Sequence, residues 1–392
     1  MDFELSDNHK ELQQKMRDFF QKHIAPRASK MDISSSEERM ALMRENLDRL
    51  SHVGYLGHCI KEDYNGNNMD FVGQCVTAEE LAKACASTFI SARASAFLFA
   101  YPVQNFGTEQ QKKAYLPYIA KGGKIGAIAY SEQDAGSDLL AIQASAEKVD
   151  KGWVINGTKD IVVNAPIADV FLVLAKTSSK DEESPAFGLF IIDRDTPGLE
   201  IGERVETLGL RGAPIAGLDL KDCHVSDEAL LGGTPGKGKE QIEDVLEKGR
   251  LTLSAMAVGL GVACMEMATQ RAKKRVAFGK QIGRFQEVGF KLSDMFTDND
   301  LGRMLTLRAA WAYDNNEAEA DILASCAKLF TSEALTRISN HAMQIFAGHG
   351  YVKGTDVERV FRDARFVEIA EGTTEIQRVI IAKSVLDKYL PR

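Results

Sequence analysis

The sequence predicts an α+β fold in which two helical parts flank a β-rich middle part. Apolar residues recur at helical spacing up to about residue 122 and again from about residue 238. Between these regions the apolar runs are short and β-branched, and Gly, Asn, Asp and Pro separate them. Segregation of helices and strands along the chain is typical of α+β rather than alternating α/β folds. We therefore expect three domains, at residues 1–122, 123–231 and 232–392.

The helices are predicted from apolar spacing and from residues that begin or end helices. One apolar run follows an N-cap residue, Ser6, and another, from Met40 to Leu50, ends before Gly54. Further helices of the first domain are expected at about residues 71–84, 86–104 and 108–120. After a glycine-rich linker, helical patterns predict a C-terminal four-helix bundle at about residues 238–273, 286–315, 318–339 and 376–388.

The middle domain is predicted to be an antiparallel sheet or a small barrel. Turn-forming residues between its apolar runs indicate short connections. The strands are expected at Ile125–Tyr130, Trp153–Ile155, Ile161–Val163, Val170–Leu174 and Phe187–Ile192.

Composition makes several classes of function unfavourable. A net charge of −8 disfavours non-specific nucleic-acid binding. Six cysteines without a C-x-x-C pair predict reduced thiols rather than a disulfide framework or a zinc site. The polar N-terminus lacks an apolar signal core, and Arg93 and Pro102 interrupt the longest apolar region, Phe89–Val103. We expect a soluble protein without a membrane span, in the cytoplasm or, after removal of a transit segment, in an organelle.

Four sequence patterns do not support a function. Gly233–Lys239 matches the start of a P-loop, but Glu240 stands where Ser or Thr would bind magnesium. No G-x-G-x-x-G follows a strand and opens a helix, so a Rossmann site is not predicted. The histidines are dispersed without metal-ligand spacing, so no metal is expected. Cys223 and His224 are adjacent and would point in different directions on a strand.

An acidic loop near the C-terminus has the composition of a reactive site. Glu371-Gly372-Thr373-Thr374 leads into a helix, with either threonine a natural N-cap and Glu375 in the first turn. Free amides at a helix start suit an anionic or polar ligand. A carboxylate just before them could abstract a proton if its surroundings are dry. The plainer alternative is a helix cap with a solvated glutamate, and this segment alone favours that alternative.

Four segments together resemble the acyl-CoA dehydrogenase family. They occur in the family's order and spacing, and the resemblance covers essentially the whole chain. The family's helical, β and helical parts match the predicted order of domains. The segments are Tyr130–Asp138 (YSEQDAGSD), Arg275–Ile282 (RVAFGKQI) with Phe285 and Gln286, Gln344–Tyr351 (QIFAGHGY) and Ala370–Arg378 (AEGTTEIQR).

The resemblance implies FAD-dependent α,β-dehydrogenation of an acyl-CoA thioester to the enoyl thioester. Glu371 would take the α-proton while the β-hydride moves to flavin N5. The thioester oxygen would accept hydrogen bonds from the backbone N–H of Glu371 and from a ribityl hydroxyl of the flavin. Such stabilisation of a developing oxyanion is usually a dominant catalytic effect.

The resemblance also implies which residues contact FAD and the substrate. Tyr130 and Ser131 would lie near the isoalloxazine, and Thr373 and Glu375 along the diphosphate and adenosine. The neighbouring subunit would add FAD contacts from Arg275, Phe278, Gln286, Gln344 and Gly348. This implies a homodimer that commonly pairs into a homotetramer. The acyl-CoA would be contacted by Ser137, Leu246, Arg250, Ala370 and Gly372.

Two aliphatic residues beside the flavin depart from the family pattern. Ile161 stands where the family usually has Trp, and Val163 where a Thr or Ser usually bonds flavin N5. Because Val163 has no side-chain donor, we expect altered flavin reactivity. The usual partner, an electron-transferring flavoprotein, is still expected to accept the electrons.

Two further departures concern the acyl pocket. Ala370 replaces a residue that is often Tyr, which should widen the pocket for a bulky, branched or cyclic acyl group. Arg93 interrupts an apolar helix that lines the family's distal acyl pocket, and a buried cation needs an anion. Three interpretations of Arg93 stay open: a clamp for a substrate carboxylate, an internal salt bridge or an exposed position.

Other functions on the same fold stay open as alternatives. They are an acyl-CoA oxidase, an enoyl-thioester reductase and an enzyme that acts on carrier-protein-bound acyl groups. Retention of Glu371 argues against monooxygenases, which abstract no α-proton. A helical scaffold without flavin is a non-enzymatic hypothesis, which a colourless protein that gains no flavin would support.

Overall fold

Helices form the first part of the chain in the computed structural model, which describes residues 4–177 and 186–389. Ser6 caps the first helix, and Gly54, with a φ of 79°, follows the third, both as predicted. A π-helical segment, Ala94–Phe99, lies between the fifth and sixth α-helices. The helices are α1 (Asp7–His23), α2 (Ala25–Ile33), α3 (Ser36–His52), α4 (Phe71–Ala84), α5 (Ala86–Arg93), α6 (Ala100–Phe106) and α7 (Glu109–Ala120).

A curled sheet forms the middle part of the chain. The strands are β1 (Gly126–Ala129), β2 (Ser145–Val149), β3 (Gly152–Val163), β4 (Val170–Lys176), β5 (Phe187–Asp193), β6 (Leu199–Arg204) and β7 (Ile215–Val225). Their order is β1-β4-β2-β3-β7-β6, with β5 also paired to β4. The prediction of a wholly antiparallel sheet is wrong in one respect, because β4 pairs parallel with β1 and, at one residue, with β2.

The strand predictions were incomplete. The two runs predicted as separate strands around Trp153 and Val163 belong to the single strand β3, whose pairing with β7 contains two irregularities. Strands β2, β6 and β7 were not predicted. Their alternating polar residues face outward, so they lack the continuous apolar runs on which the prediction relied.

The last part is a helical bundle built on three long helices. These are α8 (Gly238–Lys274), α9 (Gln286–Asp314) and α10 (Ala320–Phe346), with a small hairpin of β8 (Val276–Ala277) and β9 (Lys280–Gln281) between α8 and α9. Two shorter helices, α11 (Asp356–Ile369) and α12 (Thr374–Tyr389), pack against α10. Helix α11 was not predicted.

Helix α8 passes through the interior of the protein. It is the one helix within residues 4–177 and 186–389 that is long and apolar enough to cross a membrane. However, 72% of its apolar stretch is buried inside the protein, as in the core helix of a globular domain. Helix α4 of the first part packs against both α8 and α9, so the two helical parts share one apolar core.

A buried ion-pair network attaches α11 to the rest of the molecule. Arg362 bonds Asp32 of α2 at 2.7 Å, and the N–H of Leu210, before β7, donates to the carboxylate of Asp363 at 2.6 Å. Burial raises the pKa of Asp363 to about 6, against the opposing effect of Arg359. These contacts fix the direction in which the chain enters the loop that follows α11.

Candidate active site

A cavity of about 1080 Å³ lies where the three parts of the chain meet. Its walls come from α5 and the π-helical segment, from β1 and β3 of the sheet, from α8, and from the loop between α11 and α12. Twelve of the predicted site residues line it: Arg93, Tyr130, Ser131, Ser137, Ile161, Val163, Leu246, Arg250, Ala370, Glu371, Gly372 and Thr373. Tertiary folding therefore brings together predicted site residues that are as far apart in the sequence as Arg93 and Thr373.

The loop at residues 370–373, here named the base loop, presents Glu371 to this cavity. Glu371 is 8% exposed, so the alternative of a solvated glutamate is wrong. Both Glu371 and Gly372 have positive φ, of 53° and 89°. Thr373 is the N-cap, because its hydroxyl accepts a hydrogen bond from the N–H of Ile376 at 3.4 Å. Among residues 4–177 and 186–389, no carbonyl or side chain accepts a hydrogen bond from the N–H of Glu371.

Arg93 and Glu371 form a buried two-point ion pair. The Nη1 and Nη2 atoms of Arg93 donate to Oε1 and Oε2 of Glu371, the second at 2.6 Å. Arg93 also donates from Nε to the hydroxyl of Thr252 at 2.7 Å and from Nη2 to the carbonyl of Gly249 at 2.9 Å. Arg93 is 4% exposed, so the exposed-position interpretation is wrong and the internal salt bridge is present.

Gly249 leaves the space that the ion pair occupies. A Cβ atom at residue 249 would lie 2.4 Å from Oε2 of Glu371 and 2.7 Å from Nη2 of Arg93, both shorter than any ordinary contact. Glycine inside a helix is less favourable than alanine by about 1 kcal/mol. Glycine at residue 249 therefore makes α8 less stable locally. The close approach of Glu371 and Arg93 explains why glycine is found there.

Two side chains bind the carbonyl of Gly372 in the base loop. The sequence motifs include Gln377 but assign it no role, and they do not include Lys328. Lys328 of α10 donates from Nζ to the carbonyl of Gly372 at 2.6 Å, and Gln377 of α12 donates to the same carbonyl at 3.0 Å. Lys328 is fully buried, and burial lowers its pKa to about 8. The one sequence signal was a lysine within an otherwise apolar helical run, A-K-L-F, at residues 327–330.

A third cation, Arg250, completes the surroundings of Glu371. It is buried, donates from Nη1 to the hydroxyl of Ser325 at 3.1 Å, and interacts electrostatically with Glu371. Burial lowers the pKa of Arg250. Its Nε atom has no hydrogen-bond partner in the part of the chain that the structure describes. Three buried cations, Arg93, Arg250 and Lys328, thus surround one buried carboxylate.

The opposite wall of the cavity has the features that a flavin site needs. Tyr130 and Ser131 follow β1, and burial raises the pKa of the Tyr130 hydroxyl. Ile161 has a φ of 53° and is 59% exposed, so an aliphatic side chain and open backbone face the cavity beside Val163. The amides at the start of α12, which follow Gly372 and Thr373 of the cavity wall, suit a diphosphate. The donor chemistry of these residues fits FAD.

Six predicted flavin residues lie away from this cavity. Glu375 is exposed in the first turn of α12. Arg275 and Phe278 lie in or beside the β8–β9 hairpin, Gln286 begins α9, and Gln344 and Gly348 lie at the end of α10. Phe278 is 95% exposed with a φ of 50°, an unfavourable position for an aromatic ring in water. A contribution of five of these residues to the flavin site of a neighbouring subunit stays a prediction. They are Arg275, Phe278, Gln286, Gln344 and Gly348.

Comparison with family models identifies the class of this protein. Residues 6–123, 127–223 and 236–386 match, in order, the N-terminal, middle and C-terminal domains of acyl-CoA dehydrogenases. The chain therefore belongs to the acyl-CoA dehydrogenase family and is an FAD-dependent oxidoreductase.

Individual proteins are similar over the whole length. The probable acyl-CoA dehydrogenase YngJ of Bacillus subtilis is 38% identical over 98% of this chain and 100% of that protein. The structure of glutaryl-coenzyme A dehydrogenase with glutaryl-CoA has a TM-score of 0.92 and 31% identity, and covers 100% of this chain and 98% of the other. An FAD complex of an acyl-CoA dehydrogenase from Bacillus anthracis has a TM-score of 0.90 and 29% identity, over 98% and 68%.

Proposed function

We propose that this chain catalyses α,β-dehydrogenation of an acyl-CoA thioester, with Glu371 as the base that takes the α-proton. The observation that carries the proposal is the burial of the Glu371 carboxylate at the wall of a large cavity that strand β3 also lines. A carboxylate excluded from water and facing a substrate cavity is suited to proton abstraction. FAD, when bound, accepts the hydride from the substrate's β-carbon.

The backbone of the base loop supplies a donor for the thioester oxygen. An α-C–H ionises only if the negative charge that develops on the carbonyl oxygen is stabilised. The N–H of Glu371 is not used by any described acceptor of the chain, and the positive φ at Glu371 is retained despite its cost. We infer that this N–H donates to the thioester oxygen.

Charge balance at Arg93 indicates the class of acyl group. When Glu371 takes the α-proton it becomes neutral, and the buried guanidinium of Arg93 loses its counter-charge. A buried cation without an anion costs several kcal/mol. A carboxylate on the acyl group would pair with Arg93 and also release Glu371 to act as a base. The similar glutaryl-coenzyme A dehydrogenase is complexed with an acyl-CoA that carries such a carboxylate.

Ala370 leaves room beside the reacting carbons. It lines the cavity directly before Glu371, where a larger side chain would narrow the space next to the thioester. We propose an acyl group that carries both a carboxylate and a ring or branch near Cα and Cβ. Straight, neutral acyl groups would leave this space empty and Arg93 without an anion.

The experiment is anaerobic bleaching of the bound flavin by matched pairs of thioesters. Each pair consists of a dicarboxylic acid mono-CoA thioester and its methyl ester at the free carboxyl, with and without a ring at Cβ. We expect at least one carboxylated thioester to bleach the flavin about 100-fold faster than its own ester. The variant Arg93→Met should remove this preference, and Glu371→Gln should prevent bleaching by every member.

Two outcomes would contradict different parts of the proposal. Bleaching by Glu371→Gln at the wild-type rate would show that another group is the base. Fastest bleaching by straight, neutral acyl-CoAs would show that the substrate class is wrong while leaving Glu371 as the base. Retained flavin absorbance before substrate addition is the control that each variant has folded and bound FAD.

An oxygen-using oxidase is a second candidate function. The exposed Ile161 and the aliphatic Val163 on the flavin-facing strand provide no side-chain hydrogen bond to a flavin. Reduced flavin without such a bond could react differently with oxygen. Peroxide released in air at the rate of substrate turnover would favour this function, whereas turnover that needs an added electron acceptor would exclude it.

Assembly, electron acceptor and location complete the proposal. The exposed aromatic side chains of Phe278 and Tyr351, 95% and 88% exposed, support a homodimer or homotetramer in which they are covered. Arg275, Phe278, Gln286, Gln344 and Gly348 would then reach a neighbouring flavin. We further propose an electron-transferring flavoprotein as acceptor and the cytoplasm as location.

A further inference from the structure

Lys328 is a buried cation that the proposed proton transfer does not use directly. Its side chain is fully buried in α10, and its Nζ atom donates hydrogen bonds to the carbonyls of Gly372, at 2.6 Å, and Glu368, at 3.4 Å. Burial of a lysine is rare and costly, because a charged ammonium loses its water. Main-chain carbonyls are weak compensation compared with a carboxylate partner, so the position calls for an explanation.

The two carbonyls that Lys328 binds lie on either side of the base. Glu368 is in the last turn of α11, where carbonyls have no partner within the helix. Gly372 directly follows Glu371 in the base loop. The ammonium group of Lys328 thus connects the end of α11 to Gly372, the residue after the base. Glu371 is held between these two points of attachment.

The base loop needs such support because its backbone is strained. Glu371 and Gly372 have successive positive φ values of 53° and 89°. A non-glycine residue in this region costs about 1–2 kcal/mol, and such conformations persist only where neighbouring groups enforce them. Gln377 adds donors to the carbonyls of Glu371, at 3.3 Å, and Gly372, at 3.0 Å. With Lys328 and Gln377 occupying these carbonyls, the N–H groups of Gly372 and Thr373, which belong to the same two peptides, point the opposite way.

The charges around Lys328 come from four elements. Glu371 of the base loop, Glu368 of α11 and Glu375 of α12 favour its charged form, whereas Arg250 of α8 disfavours it. Desolvation is the largest effect and lowers the pKa of Lys328 to about 8. The ammonium therefore loses its proton, and part of its hold on the two carbonyls, as the pH rises through about 8.

We propose that Lys328 is a positioning residue for the base, which fixes the base loop on both sides of Glu371 so that its carboxylate is held at the cavity. The proposal rests on the proposed function, in which Glu371 removes the α-proton. Lys328 itself touches neither substrate nor the transferred proton.

The test measures proton abstraction separately from hydride transfer. A 3-thiaacyl-CoA has sulfur in place of the β-carbon and cannot lose a hydride, so exchange of its α-protons for deuterium reports the base alone. The FAD-loaded variants are Lys328→Met, which keeps the length without donors, and Lys328→Arg, which keeps charge and donors. Arg337→Met, which removes an exposed cation of the same helix, is the matched control.

We expect Lys328→Met to exchange roughly 10- to 100-fold more slowly, with FAD content and the KM for the thioester close to wild type. Wild-type exchange should fall as the pH rises through about 8. Lys328→Met should lack this fall, and Lys328→Arg should recover part of the rate and move the fall to higher pH. Arg337→Met should match wild type in rate and in pH profile.

Exchange by Lys328→Met at the wild-type rate would overturn the proposal. If Lys328→Met does not retain FAD, the comparison of wild type with Lys328→Arg still tests the proposal. Identical dependence of their exchange rates on alkaline pH would also overturn it. Glu371→Gln separates the two levels of inference. If Glu371→Gln exchanges α-protons at the wild-type rate, Glu371 is not the base. If Glu371→Gln does not exchange them while Lys328→Met exchanges at the wild-type rate, Glu371 is the base and only the proposed role of Lys328 is wrong.

Discussion

Arg93 can pair fully with the carboxylate of Glu371 or with that of a substrate, but not with both. Its hydrogen bonds to Thr252 and to the carbonyl of Gly249 lie on α8 and do not involve the base. They hold the guanidinium in place if Glu371 leaves. We therefore expect the base, rather than the arginine, to move when an anionic acyl group enters, so that substrate binding and release of the base are one event.

Substitution of Gly249 tests whether the ion pair needs the space that glycine provides. In Gly249→Ala the new Cβ would force Glu371 and Arg93 apart, since it would lie 2.4 Å and 2.7 Å from their atoms. We expect kcat/KM for the preferred carboxylated thioester to fall about 10- to 100-fold, because the displaced guanidinium of Arg93 would no longer be placed to pair with the substrate carboxylate. The free energy of unfolding should also fall, because disturbing a buried ion pair costs more than the roughly 1 kcal/mol that alanine gains as the better helix former.

The matched control for this substitution is Gly289→Ala in α9. A Cβ atom at residue 289 would meet nothing within 4 Å, so the same chemical change occurs in a helix without the clash. Kinetic constants of Gly289→Ala should equal those of wild type. Unchanged kinetics in Gly249→Ala as well would show that the ion pair tolerates displacement and has no part in catalysis.

Substitution of Ala370 tests the width of the pocket beside the reacting carbons. In Ala370→Tyr a large ring would occupy the cavity wall next to Glu371. We expect kcat/KM for a thioester with a ring at Cβ to fall at least about tenfold more than that for its straight-chain analogue, because only the former needs the space. Equal losses for both thioesters would argue against a bulky substrate.

At the scale of elements, the N-terminus of α12 joins the base loop to the proposed FAD site. Thr373 caps this helix through a hydrogen bond to the N–H of Ile376. Thr373→Ala should reduce stability by about 1 kcal/mol, a typical value for an N-cap. It should also accelerate FAD loss, measured by dilution and fluorescence of released flavin, because the cap orients the amides at the cavity.

Thr108→Ala is the comparison for that prediction. Thr108 caps α7 in a capping box with Gln111, far along the chain from the base loop. Its loss should reduce stability to a similar extent without accelerating FAD release. If both variants lose FAD equally fast, the effect follows from general destabilisation and not from the position of α12.

At the scale of the whole molecule, acid stability depends on a buried histidine. His58 stacks against Phe97 under the π-helical segment, and burial lowers its pKa to about 4. An unfolded histidine has a pKa of about 6.5, so between these values the unfolded chain binds a proton that the folded protein does not. The free energy of unfolding should therefore fall as the pH decreases from 6.5, by about 3 kcal/mol at pH 4.

Chemical denaturation of His58→Gln and wild type between pH 8 and pH 4 measures this contribution. The variant should be less stable at pH 8 and lose less stability on acidification. Asp363, whose raised pKa of about 6 has the opposite effect on acidification, is present in both proteins and cancels in the comparison. His52→Gln, at an exposed position, should follow the wild-type curve; parallel curves for all three proteins would contradict the assignment.

Long helices and the ends of helices were largely predictable from sequence. The run at residues 71–84 coincides with α4, and the Ser6 cap is present. Strands β6 and β7 were missed because their outward-facing residues are polar and interrupt the apolar run. Helix α11 was missed because its inward-facing residues include Arg362 and Asp363, which are buried only because they find charged partners elsewhere.

The candidate site was predictable only in part. Motifs indicated Glu371, and twelve of the predicted site residues line the cavity. They could not indicate that Arg93 pairs with Glu371, since the two are 278 residues apart and each interpretation of Arg93 was compatible with its local sequence. Lys328 and the need for glycine at residue 249 were missed for the same reason, because their significance lies in atoms of another segment.

The sequence by itself determined the local structure and the chemical inventory: helices and strands follow from periodicity and end residues, and the Glu-Gly-Thr loop follows from its motif. Tertiary structure alone decided which charges meet. Arg93, Arg250 and Lys328 come from different helices and converge on one carboxylate. Electrostatic interaction depends on distance in space and on exclusion of water, and neither quantity is written in the spacing of residues along a chain.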